Sequence, residues 1–144
     1  MTFLRATLIV MVSSVVLGVL GCATIPVADM QHVTSILTTG GSADAVKFDR
    51  TPQTGPFGIG NRIYFLTTLR WDDTSSGAGN HKVKWKWYSG EKEISILERT
   101  FNFNTTPFEL RGSILASALG AGHHKVEVYI DDKLFDSKNF DVAE

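Results

Sequence analysis

From His81 to Tyr88 the chain reads His-Lys-Val-Lys-Trp-Lys-Trp-Tyr, a regular alternation of polar and apolar side chains. Successive side chains of an extended strand point to opposite faces, so Val83, Trp85 and Trp87 share one side and Lys82, Lys84, Lys86 and Tyr88 the other. Such a segment is stable as a strand with one buried and one wetted face. The same alternation runs through 62–71, where Ile63, Phe65, Thr67, Leu69 and Trp71 lie opposite Tyr64, Leu66, Thr68 and Arg70. Being apolar on most of both faces, that stretch reads as a central strand. Trp71, Trp85 and Trp87 all fall on apolar faces and are expected in the core, with Trp87, nearest the hairpin tip, partly exposed.

Further strands are expected at 32–37, 45–50, 108–110 and 124–130, followed by a last one ending in Phe140 and Val142. In 124–130 His124, Val126, Val128 and Ile130 oppose Lys125, Glu127 and Tyr129. Ser89-Gly90 suits a two-residue hairpin turn, which would set Trp85 opposite Ile94, Val83 opposite Ile96 and Lys86 opposite Glu93. The apolar residues then change parity between Ile96 and Leu97, as at a bulge or a change of sheet. At Asp131-Asp132-Lys133 both two- and three-residue turns give sensible pairs. Ser113 to Leu119, stopped by Gly120, reads as a helix of one to two turns with a serine N-cap. The Pro- and Gly-rich stretch 51–60 reads as a loop; a phosphate cradle would need a helix after its glycines, and a strand follows.

Seven to nine short strands joined by turns define an all-β fold, an antiparallel sandwich with one short helix. Over roughly residues 31–143 the layout resembles immunoglobulin-like and fibronectin-type domains. Trp85 stands where such folds place a core tryptophan on the third strand. His124 stands where a tyrosine often sits, and Val126 where a cysteine would be. A fold of this kind leaves function open.

The start of the chain is of another character. Residues 6–20 are apolar apart from Thr7, Ser13, Ser14 and Gly18, and a single positive charge, Arg5, precedes them. These are signal-peptide proportions, and the run is short for a permanent membrane span of about 20 residues. It closes on Leu17-Gly18-Val19-Leu20-Gly21-Cys22. Val19 three positions before the cysteine and Gly21 immediately before it resemble the lipobox of bacterial lipoproteins. The resemblance implies a helical signal peptide over 1–21, cleavage between Gly21 and Cys22, and diacylglyceryl and acyl chains on Cys22. Residues 22–30 would then be a lipidated cysteine with a short tether, and 31–144 the sandwich domain. Ala23 is not the aspartate that commonly retains lipoproteins in the inner membrane, so the implied address is the outer membrane, on its periplasmic leaflet in preference to the cell surface.

Cys22 is the chain's one cysteine, so the rest has neither a disulfide framework nor a thiol nucleophile nor a thiolate metal site. Only Arg5 among the charged residues precedes it, and a chain of net charge -1 then leaves a mildly acidic remainder, no nucleic-acid footprint. His123 and His124 are neighbours on a strand and diverge, which argues against a shared metal. Asp72-Asp73 and Asp131-Asp132 lack the spacing of a calcium loop or a glycosidase pair and read as turn formers. No Gly-x-Ser-x-Gly elbow is present. The expected function is that of a non-enzymatic interaction or accessory module, without cofactor, held to the membrane by its lipid and bound to an envelope protein. The alternative is recognition of an anionic glycan or lipid by Lys82, Lys84 and Lys86 with Tyr88 and Trp87.

Overall fold

The computed structural model describes residues 24–41, 47–73 and 77–144. The expected signal peptide and Cys22 lie outside them. Among the described residues, eight strands form two sheets: β1 (Gln31–Thr38), β2 (Phe57–Gly58), β3 (Arg62–Arg70), β4 (Gly79–Ser89), β5 (Lys92–Phe103), β6 (Phe108–Leu115), β7 (Gly122–Ile130) and β8 (Lys133–Ala143). One sheet has the order β1-β3-β6, the other β2-β8-β7-β4-β5. Only β2, paired with β8, is parallel to its neighbour. This is an immunoglobulin-like sandwich with one short helix, α1 (Ala116–Leu119).

The core lies between the sheets, and the alternation of β4 is what fills it. Val83, Trp85 and Trp87 are fully buried, together with Ile63, Phe65 and Leu69 of β3 and Val126, Val128 and Ile130 of β7. Trp71 stacks on Phe103, and Trp87 meets Phe140 of β8 edge to face. Trp87, expected to be partly exposed, is therefore covered by an aromatic from a distant strand. Trp85 lies flat on the backbone of β6: a Cβ added to Gly112 would fall 2.5 Å from its Cγ and Cδ1.

Several local expectations are corrected. The turn between β4 and β5 is Gly90-Glu91, pairing Ser89 with Lys92. Gly90 takes the positive φ, 59°, as first central residue, the place where a II′ turn wants its glycine. The register slips between Trp87 and Tyr88, and from there Lys86 faces Ile96, Trp85 faces Leu97 and Val83 faces Arg99. The parity change is thus absorbed near Ile94, and Ile96 is left on the outer surface, 51% exposed. Ser113 is no helix cap: β6 runs through to Leu115, and α1 begins without a side-chain cap. Residues 47–50, expected to end a strand, form none. They cross the outer side of the three-stranded sheet, where Phe48 packs on Tyr64 and Arg111 and Arg50 forks onto Glu109 at 2.8 and 3.2 Å. The loop 51–60 contains β2, whose Phe57 is buried against Phe140.

The turn from β7 to β8 is the two-residue form, Asp131-Asp132, both with positive φ. Asp131 ties it to β4: its Oδ1 accepts from the Lys82 amide at 2.9 Å and its Oδ2 lies 2.7 Å from Nδ1 of buried His81. The expected tether is also structured. The Ile25 amide donates to Ala78 O at 2.9 Å, Ile25 and Val27 pack on the core, Val27–Asp29 form a 3-10 turn, and Met30 is buried.

Candidate functional site

The lysines singled out in the sequence lie together on the outer face of the five-stranded sheet. Pairing of β4 with β5 on one side and β7 on the other, and of β7 with β8, sets side chains in rows: Glu98, Lys84, Tyr129 and Leu134; then Ile96, Lys86, Glu127 and Ser137; then Glu93, Tyr88, Lys125 and Asn139. Trp87 is on the other side of the strand, so the expectation that it joins this face is overturned by the same alternation that aligns the lysines.

The lysines are engaged. Lys82 Nζ lies 2.7 Å from Asp132, Lys84 Nζ 2.9 Å from Asp132 and 3.2 Å from Glu98, and Lys86 Nζ 3.3 Å from Glu93. Asp132 reaches Lys82 and Lys84 because the β7–β8 turn curls over the end of β4. Those two lysines hold its carboxyl at about 2, well below its ordinary value, and Asp132 followed by Glu98 raises Lys84.

At the centre is Glu127, a buried carboxylate on an outward-facing position. It accepts from Lys125 Nζ and from the Tyr129 hydroxyl, both at 2.7 Å. Burial alone would raise its pKa; the bonds from Lys125, Tyr129 and Tyr88 outweigh that and lower it. Tyr88 is pushed up, by burial first and its hydrogen bond to Glu127 next, and Tyr129 is raised chiefly by its bond to Glu127. Both phenols therefore stay protonated as donors at neutral pH. Lys125 sits 4.5 Å from the centre of the Tyr88 ring and Lys86 5.4 Å from that of Tyr129. The face is a lattice of ion pairs and cation–π contacts, bordered by exposed Ile96 and Leu134. Glu127 and the two tyrosines organise it; the alternating run Lys125, Glu127, Tyr129 opposite the lysine strand was the available sequence signal.

The histidines do separate things. His123 is exposed and pairs with Asp141. His124 is buried and donates from Nε2 to Gly120 O at 2.9 Å, leaving Nδ1 a lone pair without a partner. No group of three metal-ligating side chains converges among the described residues. Nor is any described helix long and apolar enough to cross a membrane. Gly21 and Cys22, the expected cleavage and lipidation positions, lie outside the described residues.

No family model matches the chain, and no curated protein matches it. Solved structures do. A Pseudomonas fluorescens alkylpurine DNA glycosylase bound to DNA with an abasic-site analogue is similar with a TM-score of 0.56 and 13% identity, over 81% of this chain. An immunoglobulin-like protein of Pseudomonas aeruginosa matches with a TM-score of 0.46 and 12% identity over 98% of its own length, and a Listeria innocua beta-glucosidase with 0.46 and 8%. The chain spans 31% of the glycosylase and 16% of the glucosidase. At these identities the likeness concerns the fold alone.

Proposed function

We propose that this chain is a lipid-anchored outer-membrane lipoprotein whose sandwich is a non-enzymatic interaction module of the bacterial envelope. The observation that carries the proposal is the sequence Val19-Leu20-Gly21-Cys22 behind an apolar run of signal-peptide proportions. The outer face of the five-stranded sheet supports the second half. Lys82, Lys84, Lys86 and Lys125 keep carboxylate partners of their own when the face is covered, so no lysine of this set is left unpaired, and Ile96 and Leu134 offer apolar contact at its margins. Alternating charges favour a protein partner with a matching alternating surface. An anionic glycan or lipid is less well supported, because its charge would have to displace carboxylates from Lys82, Lys84 and Lys86.

Two measurements in cells test this. Labelling with an alkyne fatty acid should mark the protein, and Cys22→Ala should remove the label and release the protein from membranes; label retained on the alanine variant sinks the anchor. Photo-crosslinking residues at positions 96 and 134 should capture the same envelope protein. Capture of none from either position rejects the docking face. Changing Lys82, Lys84 and Lys86 together to Ser should leave retention on lipopolysaccharide and peptidoglycan unaltered.

A further inference from the structure

Thr24 is two residues beyond Cys22 and is already part of the fold. It presses on the first residue of β4: a Cβ on Gly79 would lie 2.6 Å from Thr24 Cγ2. Ile25 is fixed to Ala78 by its amide, Ile25 and Val27 pack on the core, and Met30 is buried beneath them in sequence order. What was expected to be an eight-residue tether is part of the fold from Thr24 onward. An extended residue reaches at most about 3.6 Å, so Cys22 can lie no farther than roughly 7 Å from Thr24 along the chain. A flexible stalk lets a domain tumble; a link this short does not.

We propose, on the strength of the lipid-anchor reading above, that the sandwich is mounted end-on and directly against the bilayer, in one orientation. The end that meets the lipid headgroups is the one where Thr24 is docked, and the strand directions define it. There β1, β4, β6 and β8 begin and β3, β5 and β7 end, and it carries the β5–β6 connection and the Asp131-Asp132 turn. Gly90-Glu91, α1 and the end of β8 belong to the opposite end. At about 3.3 Å per residue, β4 sets the two ends roughly 33 Å apart. At the headgroup-facing end Arg70, Lys82, Lys84 and Lys133 are matched by Asp29, Asp72, Asp73, Asp131 and Asp132, with Lys82 and Lys84 paired to Asp132, so it has no surplus of positive charge to draw it to an anionic membrane. Its contact with lipid is imposed by the anchor. The same placement points the lattice of Lys84, Glu127 and Tyr129 sideways, along the membrane plane, open to partners alongside.

The test uses full-length protein purified from membranes, in phosphatidylethanolamine–phosphatidylcholine vesicles carrying a headgroup quencher. Intact mass first reports the lipid on Cys22. Thr105→Cys and Glu91→Cys each receive a fluorophore, the thioether-linked Cys22 being unreactive. Quenching several-fold stronger at position 105 than at 91 is expected. Ten Gly/Ser residues inserted between Ala23 and Thr24 should bring the two positions to near equality. Lipid present with equal quenching in the parent chain overturns the mounting alone. A mass without lipid overturns the anchor and the mounting together.

Discussion

Val83, Trp85 and Trp87 on one side of β4, and Lys82, Lys84 and Lys86 on the other, are a strand's thickness apart, yet they hold the protein together by different physics. The inner three are fully buried and touch side chains from both sheets. Their contribution comes from area removed from water and from close packing, neither of which salt or pH alters directly. The outer three exchange ion pairs at 2.7 to 3.3 Å with carboxylates that are themselves partly in water, where such pairs are worth little singly. One face therefore specifies the fold, and the other specifies a surface. The lattice around Glu127 lies between the two regimes, being buried from above by its own partners.

The comparison is broken most severely from the inside. Trp85→Ala should destabilise the domain by about 3–5 kcal/mol, the usual range for truncating a buried aromatic, measured by urea unfolding. A loss below about 1 kcal/mol would mean that the inner face does not carry the fold. Gly112→Ala probes the same contact from the other sheet. Cγ and Cδ1 sit near the root of a rigid, fully buried ring and cannot swing aside as the tip of a flexible side chain can, so a methyl 2.5 Å from the indole should cost about 1–3 kcal/mol. Combined with Trp85→Ala, the Gly112→Ala cost should shrink, because the ring atoms that the methyl meets are gone; strict additivity of the two changes would show that they do not meet.

How much of this was legible in the sequence depended on how local each determinant is. The alternations of 62–71 and 81–88 are set by neighbouring residues, and both strands stand where expected. Register depends on one glycine and one bulge, and pairing Lys86 with Glu93 as direct neighbours gave the correct contact with the wrong ladder: Lys86 opposes Ile96 and reaches Glu93 diagonally. Trp87 looked exposed because Phe140, which covers it, comes from the last strand. Residues 24–30 lacked a period and read as a tether, although Ile25, Val27 and Met30 were the apolar residues that pin it. Gly112 carries a signal of the contact with Trp85, since a glycine inside a strand marks a close approach by another group. Asp131-Asp132 was legible as a turn, but not as the clamp for two lysines and a histidine, since those partners stand about fifty residues earlier.

The smallest expected effect sharpens the comparison from the outside. Asp132 holds Lys82 and Lys84 and titrates at about 2 instead of its ordinary 3.8. A carboxyl whose pKa is lower in the folded state contributes stability that is fully present above its unfolded pKa and fades as pH falls through the folded one. Its share should therefore disappear between about pH 4 and pH 2 and be independent of pH above that window. Asp132→Asn keeps a residue that tolerates the positive φ of 64° while removing the charge, so it separates ion pairing from turn geometry. Urea midpoints followed from pH 7 to pH 2 should show a shallower acid slope in Asp132→Asn than in the parent, and 1 M salt should narrow the gap between them at pH 7. Trp85→Ala should shift the whole curve down without changing that slope. A slope in Asp132→Asn as steep as the parent's would mean that the carboxylate is present for the turn alone, and that the lysine face contributes its surface chemistry without stabilising the fold.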